Sequence, residues 1–364
     1  MIVLVVSMHA AVTYSHLGSW YFMEEPKPGT AVMAIFATYQ VFLQAFFMGL
    51  LFLVAGYFVP PAFDRKGAAA FVRDRAIRLG VPSLFYMLVV HPFTVYWLLQ
   101  RFAHPTWPSL AHAYWPYLRS GRFLSGSGPM WFAVALLGFS VVYALLRKGI
   151  QRVPPSNFAA PLPGNREVLA LALVMGLCSF LVRLVQPMGT NILNMQLCFF
   201  SQYVLLFSIG ICARRRNWLL RIPYSFGMRW LALAISVGGL SWLVLMAALL
   251  KTQSTDKLGG GLTWQSAAFS FWEAFFCVGV CLGLVVLFRD KFNHQGRLER
   301  WLSDNSFAVY LFHTPLLIAI TLLMRDFEAP KLVKFFCATL LGVVVTYLAC
   351  SLVFRRVPLL RRVL

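Results

Sequence analysis

A few ionisable side chains fall well inside apolar runs of this 364-residue sequence, among them His9, His91, Arg183, Glu273 and His313. Such a group is costly in an apolar span and is kept where it does chemistry or is paired. An imidazole titrates near neutral pH and can take a proton from a hydroxyl. His9 is therefore a candidate general base; the alternative is a neutral ring hydrogen-bonded to a neighbouring helix. Glu273 is the one acidic residue well inside any apolar run, and it needs a partner or a proton there. It could orient or charge-stabilise a histidine, or it could pair with Arg183 or a Trp N–H. His91 precedes Pro92, and His313 stands two residues before Pro315. Proline frees a helix carbonyl that either histidine could cap. His313 could equally position a substrate or move protons.

Outside the apolar runs, Arg75 and Arg78 stand at i and i+3, which puts both on one face of a helix. Two planar guanidinium forks so placed suit phosphate oxygens, and they also suit ordinary basic flanking of a membrane span. Trp20 and Trp131 flank apolar runs, where indoles anchor at a membrane interface or stack on a sugar ring. The seven cysteines show no CxxC and no Cys/His cluster of zinc spacing, so neither a disulfide framework nor a metal site is expected.

The elements that must position these residues follow from composition. Hydrophobic residues make up 60%, charged residues 12%, and mean hydropathy is +0.72. Those values exclude a soluble enzyme, a disordered chain and a coiled coil, and leave an all-α polytopic membrane protein in a lipid bilayer. About ten apolar runs can be drawn, at 1–15, 36–59, 79–100, 129–147, 167–187, 195–213, 229–250, 266–288, 306–324 and 333–354. Nine are near the roughly 20 residues a spanning helix needs. The first is short. It lacks the basic n-region and the small-residue end of a signal peptide, so it is expected to be a first span truncated at its N-terminus.

The net charge of +20 does not imply nucleic acid, because the basic residues lie in short gaps between apolar runs. With both termini inside, 22 of the 32 Lys and Arg fall on inner segments, and every inner segment exceeds its outer neighbours. Pro154, Pro155, Pro161 and Pro163 predict an irregular inner loop. The longest outer loop, about 101–128, ends in Ser125-Gly126-Ser127-Gly128, a pliant lead into the fourth span. No gap exceeds about 30 residues, so residues 1–364 read as a single integral membrane domain with no soluble domain attached.

Several segments taken in order resemble the membrane-bound acyltransferase 3 family. Val3 to Ala11, centred on His9, is similar to the family's first helix with its proposed catalytic His. Phe46 to Pro60, ending in Gly56-Tyr57, resembles its Phe-rich stretch. Arg75-x-x-Arg78 followed by Leu79-Gly80-Val81-Pro82 resembles its RxxR loop, proposed to contact CoA phosphates. Gly128-Pro129-Met130-Trp131-Phe132 is similar to its Trp-Phe helix start, and Tyr310-Leu311-Phe312-His313-Thr314-Pro315 to its Tyr-x-x-His-x-Pro stretch. Family members usually carry an Arg eleven residues before the first-helix His, and counting back from His9 runs past Met1.

The resemblance implies an O-acyltransferase. It would move an acyl group, acetyl or succinyl, from cytosolic acyl-CoA to a hydroxyl of a carbohydrate or other envelope molecule. Acyl-CoA is then a co-substrate and not a resident cofactor. On the resemblance His9 would be the base and Arg75 and Arg78 the CoA-phosphate clamp; Glu273, from its burial, would be the charge partner of His9, and the acceptor would approach from the outer side past Trp20 and Trp131. The expected location is a bacterial-type inner membrane with both termini cytoplasmic. Two other readings remain open: a proton-coupled transporter or flippase of an anionic or lipid-linked molecule, and an inactive scaffold or sensor.

Overall fold

A computed structural model describes residues 1–149 and 160–356. Among these no β-strand occurs, and the architecture is all-α. Pro154, Pro155 and Arg152 of the expected inner loop, and Arg361 and Arg362, lie outside the described residues. The main helices are α1 (Ile2–Ser15), α2 (Thr30–Lys66), α3 (Ala68–Phe102), α4 (Leu110–Arg119), α5 (Trp131–Gly149), α6 (Asn165–Val185), α7 (Phe200–Arg215), α8 (Tyr224–Lys251), α9 (Trp264–Lys291), α10 (Arg297–Leu323) and α11 (Lys331–Leu352). Nine stretches among the described residues are long and apolar enough to cross a bilayer; α1, at 14 residues, is the shorter apolar helix beside them.

Two spans are longer than the sequence suggests. α2 runs for 37 residues, about 55 Å, and so extends well beyond a hydrocarbon layer of about 30 Å. α3 starts at Ala68, eleven residues before its apolar run, because the only break after α2 is Gly67 at φ +73°. Arg75 and Arg78 therefore sit on a helix and not on a loop. α3 also widens into π-helical turns at Ala76–Gly80, Tyr86–Val90 and Thr94–Leu99. Pro82 and Pro92 lie between these turns, and each withholds an N–H from the helical ladder.

The chain divides into two compact units that interleave along the sequence. The first comprises 1–43, 72–138 and 295–364; the second comprises 44–71 and 139–294. In the first, α1 packs on α10 and α11 through Val6, Ala10, Ala11, Tyr14, Leu317, Phe335 and Ala338. In the second, α9 packs between α6 and α8 around Met175, Trp230, Cys277 and Val278, and it is the most enclosed of the spans. Faces turned outward are apolar, as lipid requires: Leu240 and Leu243 of α8 and Phe336 and Leu340 of α11 are exposed. Several hydroxyls within spans return to their own helix, as Ser83 to the Leu79 carbonyl and Thr94 to the Val90 carbonyl.

Candidate active site

His9 lies in the middle of α1, and its Nδ1 is 3.0 Å from Nε2 of His313 on α10. The rings are nearly coplanar, at 7° with centroids 5.2 Å apart, so the contact is an in-plane N–H···N bond. The tautomers follow from the far side of His313. Its Nδ1 is 2.9 Å from the Tyr310 carbonyl and 3.1 Å from the Val309 carbonyl. Carbonyl oxygens only accept, so Nδ1 carries the hydrogen and Nε2 of the neutral ring is a lone pair. His9 must then donate from Nδ1, which leaves its Nε2 as a lone pair. Among the described residues His9 Nε2 has no hydrogen-bond partner, and the ring is half-buried while His313 is fully buried. The result is a base held in one tautomer with its free nitrogen turned away from its partner.

Trp20 covers this base. Residues 16–29, between α1 and α2, fold back so that the indole stacks on His9 at 3.8 Å and 10°. His9 thus occupies an indole face that a sugar ring would otherwise use. The segment is fastened at Glu24, whose N–H donates to the Thr13 carbonyl and whose carboxylate accepts from Lys331 at 2.8 Å and Lys334 at 3.0 Å. The next ring, Tyr21, meets Trp20 edge-on and places its hydroxyl 2.8 Å from His91 Nδ1 and 3.2 Å from the Tyr86 hydroxyl. Burial, with the Tyr86 hydroxyl beside it, pushes the Tyr21 phenol well above its ordinary pKa, so it stays protonated at neutral pH.

His91 does not cap the helix opened by Pro92. The carbonyls of Met87 and Leu88 are bonded instead by the Tyr117 and Tyr114 hydroxyls of α4, while His91 turns to Tyr21. A phenol on an overlying helix reaches those carbonyls, and its hydroxyl is a better-placed donor than a ring on the kinked helix itself. α4 lies inside the stretch read from sequence as a long loop. Gly128 seals the same corner. At φ +49° its hypothetical Cβ would fall 2.5 Å from the Tyr86 hydroxyl and 2.6 Å from that of Tyr21, so a larger residue would have to displace them at a backbone angle that disfavours it. The Tyr310 hydroxyl donates to the adjoining Pro129 carbonyl and ties the start of α5 to α10.

Glu273 requires a correction as charge partner of His9. It belongs to the second unit, where Arg183 Nη2 donates to its carboxylate at 2.6 Å and Arg183 Nη1 donates to Ser270 at 2.9 Å. Phe269 and Phe199 flank the guanidinium, at 5.0 and 5.4 Å. A carboxylate at that depth is tolerable only beside a fixed cation, and α6 supplies it across the face that α9 must bury. The group bonded to His9 is His313.

Arg75 is half-buried and Arg78 exposed, close enough for the two guanidinium groups to repel one another. The π-helical turn begins directly after Arg75, so their relative direction is not that of an ordinary i, i+3 pair. Trp131 opens α5 with its ring against Phe132, and Trp20 supplies the ring that meets His9. Sequence reading overlooked Tyr21, Tyr86, Glu24 and Lys334. Lys331 and Lys334, one helical turn apart at the start of α11, are a sequence signal that an acidic partner sits nearby.

Three of the stretches compared with the acyltransferase family, those around His9, Gly128 and Tyr310–His313, thus converge within one unit. A family model described as an acyltransferase domain, acyltransferase 3, matches residues 1–355. The chain belongs to the acyltransferase 3 family. No curated protein and no solved structure matches it. As an acyltransferase 3 protein it is an integral membrane enzyme of acyl transfer, and its lipid-facing helices agree with that.

Proposed function

We propose that this acyltransferase moves an acyl group, acetyl or succinyl, from cytosolic acyl-CoA to a hydroxyl of a carbohydrate or other envelope molecule, with His9 as general base. The observation that carries this reading is the tautomer set by His313, which leaves a lone pair on His9 Nε2. The acceptor hydroxyl gives its proton to that nitrogen while its oxygen forms a bond to the thioester carbon. The carbonyl electron pair moves to oxygen. When it returns, the C–S bond breaks and the departing CoA sulfur takes the proton from His9. His313 holds the imidazolium formed in between, because its Nε2 accepts from His9 Nδ1 throughout.

Arg75 and Arg78 supply two cations near the start of α3, in a segment that the bias in basic residues puts on the inner side, and guanidinium forks suit the phosphates of CoA. The same bias in basic residues supports cytoplasmic termini in a bacterial-type inner membrane. The test is label transfer from radiolabelled acetyl-CoA and succinyl-CoA in inverted membrane vesicles. Label in glycan or lipid should be lost in His9→Ala and should require higher acyl-CoA in an Arg75→Gln/Arg78→Gln double variant. Transfer unchanged in His9→Ala overturns the mechanism. A protein that translocates a substrate without acyl-CoA and is indifferent to both arginines is a transporter.

A further inference from the structure

Resting on the reading of His9 as the base, we infer that the indole N–H of Trp20 is a catalytic hydrogen-bond donor to the carbonyl oxygen of the acyl group. When a hydroxyl oxygen adds to a thioester carbon, the carbonyl π pair moves onto oxygen, and that charge must be met by a donor already in place. The side chains around His9 narrow the choice. Both nitrogens of His313 are committed, Nδ1 to two carbonyls and Nε2 to His9. The Ser7 hydroxyl is engaged with the Leu4 carbonyl and Tyr39, and that of Thr13 with the His9 carbonyl. The Tyr21 hydroxyl is engaged with His91 and Tyr86.

Trp20 Nε1 differs from all of these: it is buried and, among the described residues, has no hydrogen-bond partner. Such an N–H in a low-dielectric interior is left unmade only at a cost, which a bound carbonyl oxygen would remove. Its placement suits the task. The indole lies parallel to His9 at 3.8 Å, so the edge carrying the N–H and the edge carrying the free Nε2 belong to adjacent layers of one stack. The donor is also held fast. Four residues on, Glu24 is bound by Lys331, by Lys334 and, through its backbone, by Thr13. His16 Nε2 donates to the Glu24 carbonyl. A donor pinned in this way need not reorganise as charge develops. In the step, Trp20 donates to the oxygen as it becomes an oxyanion and remains the donor while the C–S bond breaks; it exchanges no proton.

The experiment uses the full chain in inverted vesicles with labelled acetyl-CoA and succinyl-CoA, comparing wild type, His9→Ala, Trp20→Phe and a Trp20→3-benzothienylalanine variant. The last keeps the bicyclic ring and its stack on His9 but replaces N–H by sulfur. Both Trp20 variants should lower kcat about 100-fold, leave KM within about threefold, and melt at the wild-type temperature. Wild-type kcat in the benzothienyl variant overturns the assignment, since ring shape alone would then suffice. A loss confined to KM overturns it as well. If His9→Ala is inactive while Trp20→Phe equals wild type, the Trp20 assignment fails alone. If His9→Ala equals wild type, or if no His9-dependent label appears with either donor, the base reading fails and the Trp20 assignment with it.

Discussion

In the second unit Arg183 and Glu273 meet at 2.6 Å with side-chain exposures of 0% and 4%. In the first unit His9 and His313 meet at 3.0 Å, with His9 only half-buried. Both pairs lie between helices, and both use residues that sequence alone marks as costly. The Arg–Glu pair is closed in charge: opposite charges cancel, Ser270 accepts from a second guanidinium nitrogen, and aromatic rings flank the remainder, with Nε alone lacking a hydrogen-bond partner among the described residues. The histidine pair is open, because each ring passes its hydrogen one way and the last nitrogen in the relay, His9 Nε2, has no hydrogen-bond partner among the described residues. A buried pair whose charges cancel holds helices together, whereas a neutral pair that ends in a partly exposed lone pair is open to a substrate.

Substitutions can break this contrast. The largest expected effect is on His9. His9→Ala should lower acyl transfer by about 10³-fold or more, equivalent to about 4 kcal/mol of barrier, with an unchanged melting temperature. A melting shift of several degrees with residual activity would place His9 in the structural class. Arg183→Ala should do the reverse. It leaves a buried carboxylate alone and should cost about 3–5 kcal/mol of stability, read as detergent-resistant fold after heating. The double variant Arg183→Met/Glu273→Leu should recover most of that loss and retain the kcat of the folded fraction. A double variant that folds and cannot transfer would make the pair catalytic.

Smaller effects sharpen the contrast. Glu24→Gln leaves the nearly buried Lys334 without its counter-charge and loosens the segment that carries Trp20. It should cost about 3 kcal/mol in thermal stability and also lower kcat, linking a structural ion pair to the open site. Gly128→Ala should cost about 1–3 kcal/mol, because a Cβ there meets the Tyr86 and Tyr21 hydroxyls at a backbone angle that disfavours it. The hydrogen bond from Tyr21 to His91 should be disturbed first, visible as a shifted imidazole resonance of His91.

The spans were legible in the sequence because a membrane helix satisfies its backbone within itself, so local hydropathy suffices to find it. All ten apolar runs are helical, although α3 begins at Ala68, eleven residues before its run, and the amphipathic α4 lay within a stretch read as a loop. His9 and His313 were also legible as candidates, since a titratable residue in an apolar run is conspicuous by itself. Glu273 was equally conspicuous, and of the partners open to it in the sequence the structure shows Arg183. Tyr21 and Trp20 could not be ranked, because aromatic residues beside a span are ordinary interface anchors.

By itself, then, the sequence determined the membrane class, the helical spans, the distribution of basic residues, and which side chains were too costly to be idle. Only the tertiary structure decided which of them meet. His9 and His313 are 304 positions apart, and their bond depends on how α1 and α10 are rotated against each other. Arg183 faces Glu273 because α6 and α9 bury those particular sides. Rotation and choice of neighbour are set by side-chain packing across the helix interface, and no local stretch of sequence contains both halves of that interface.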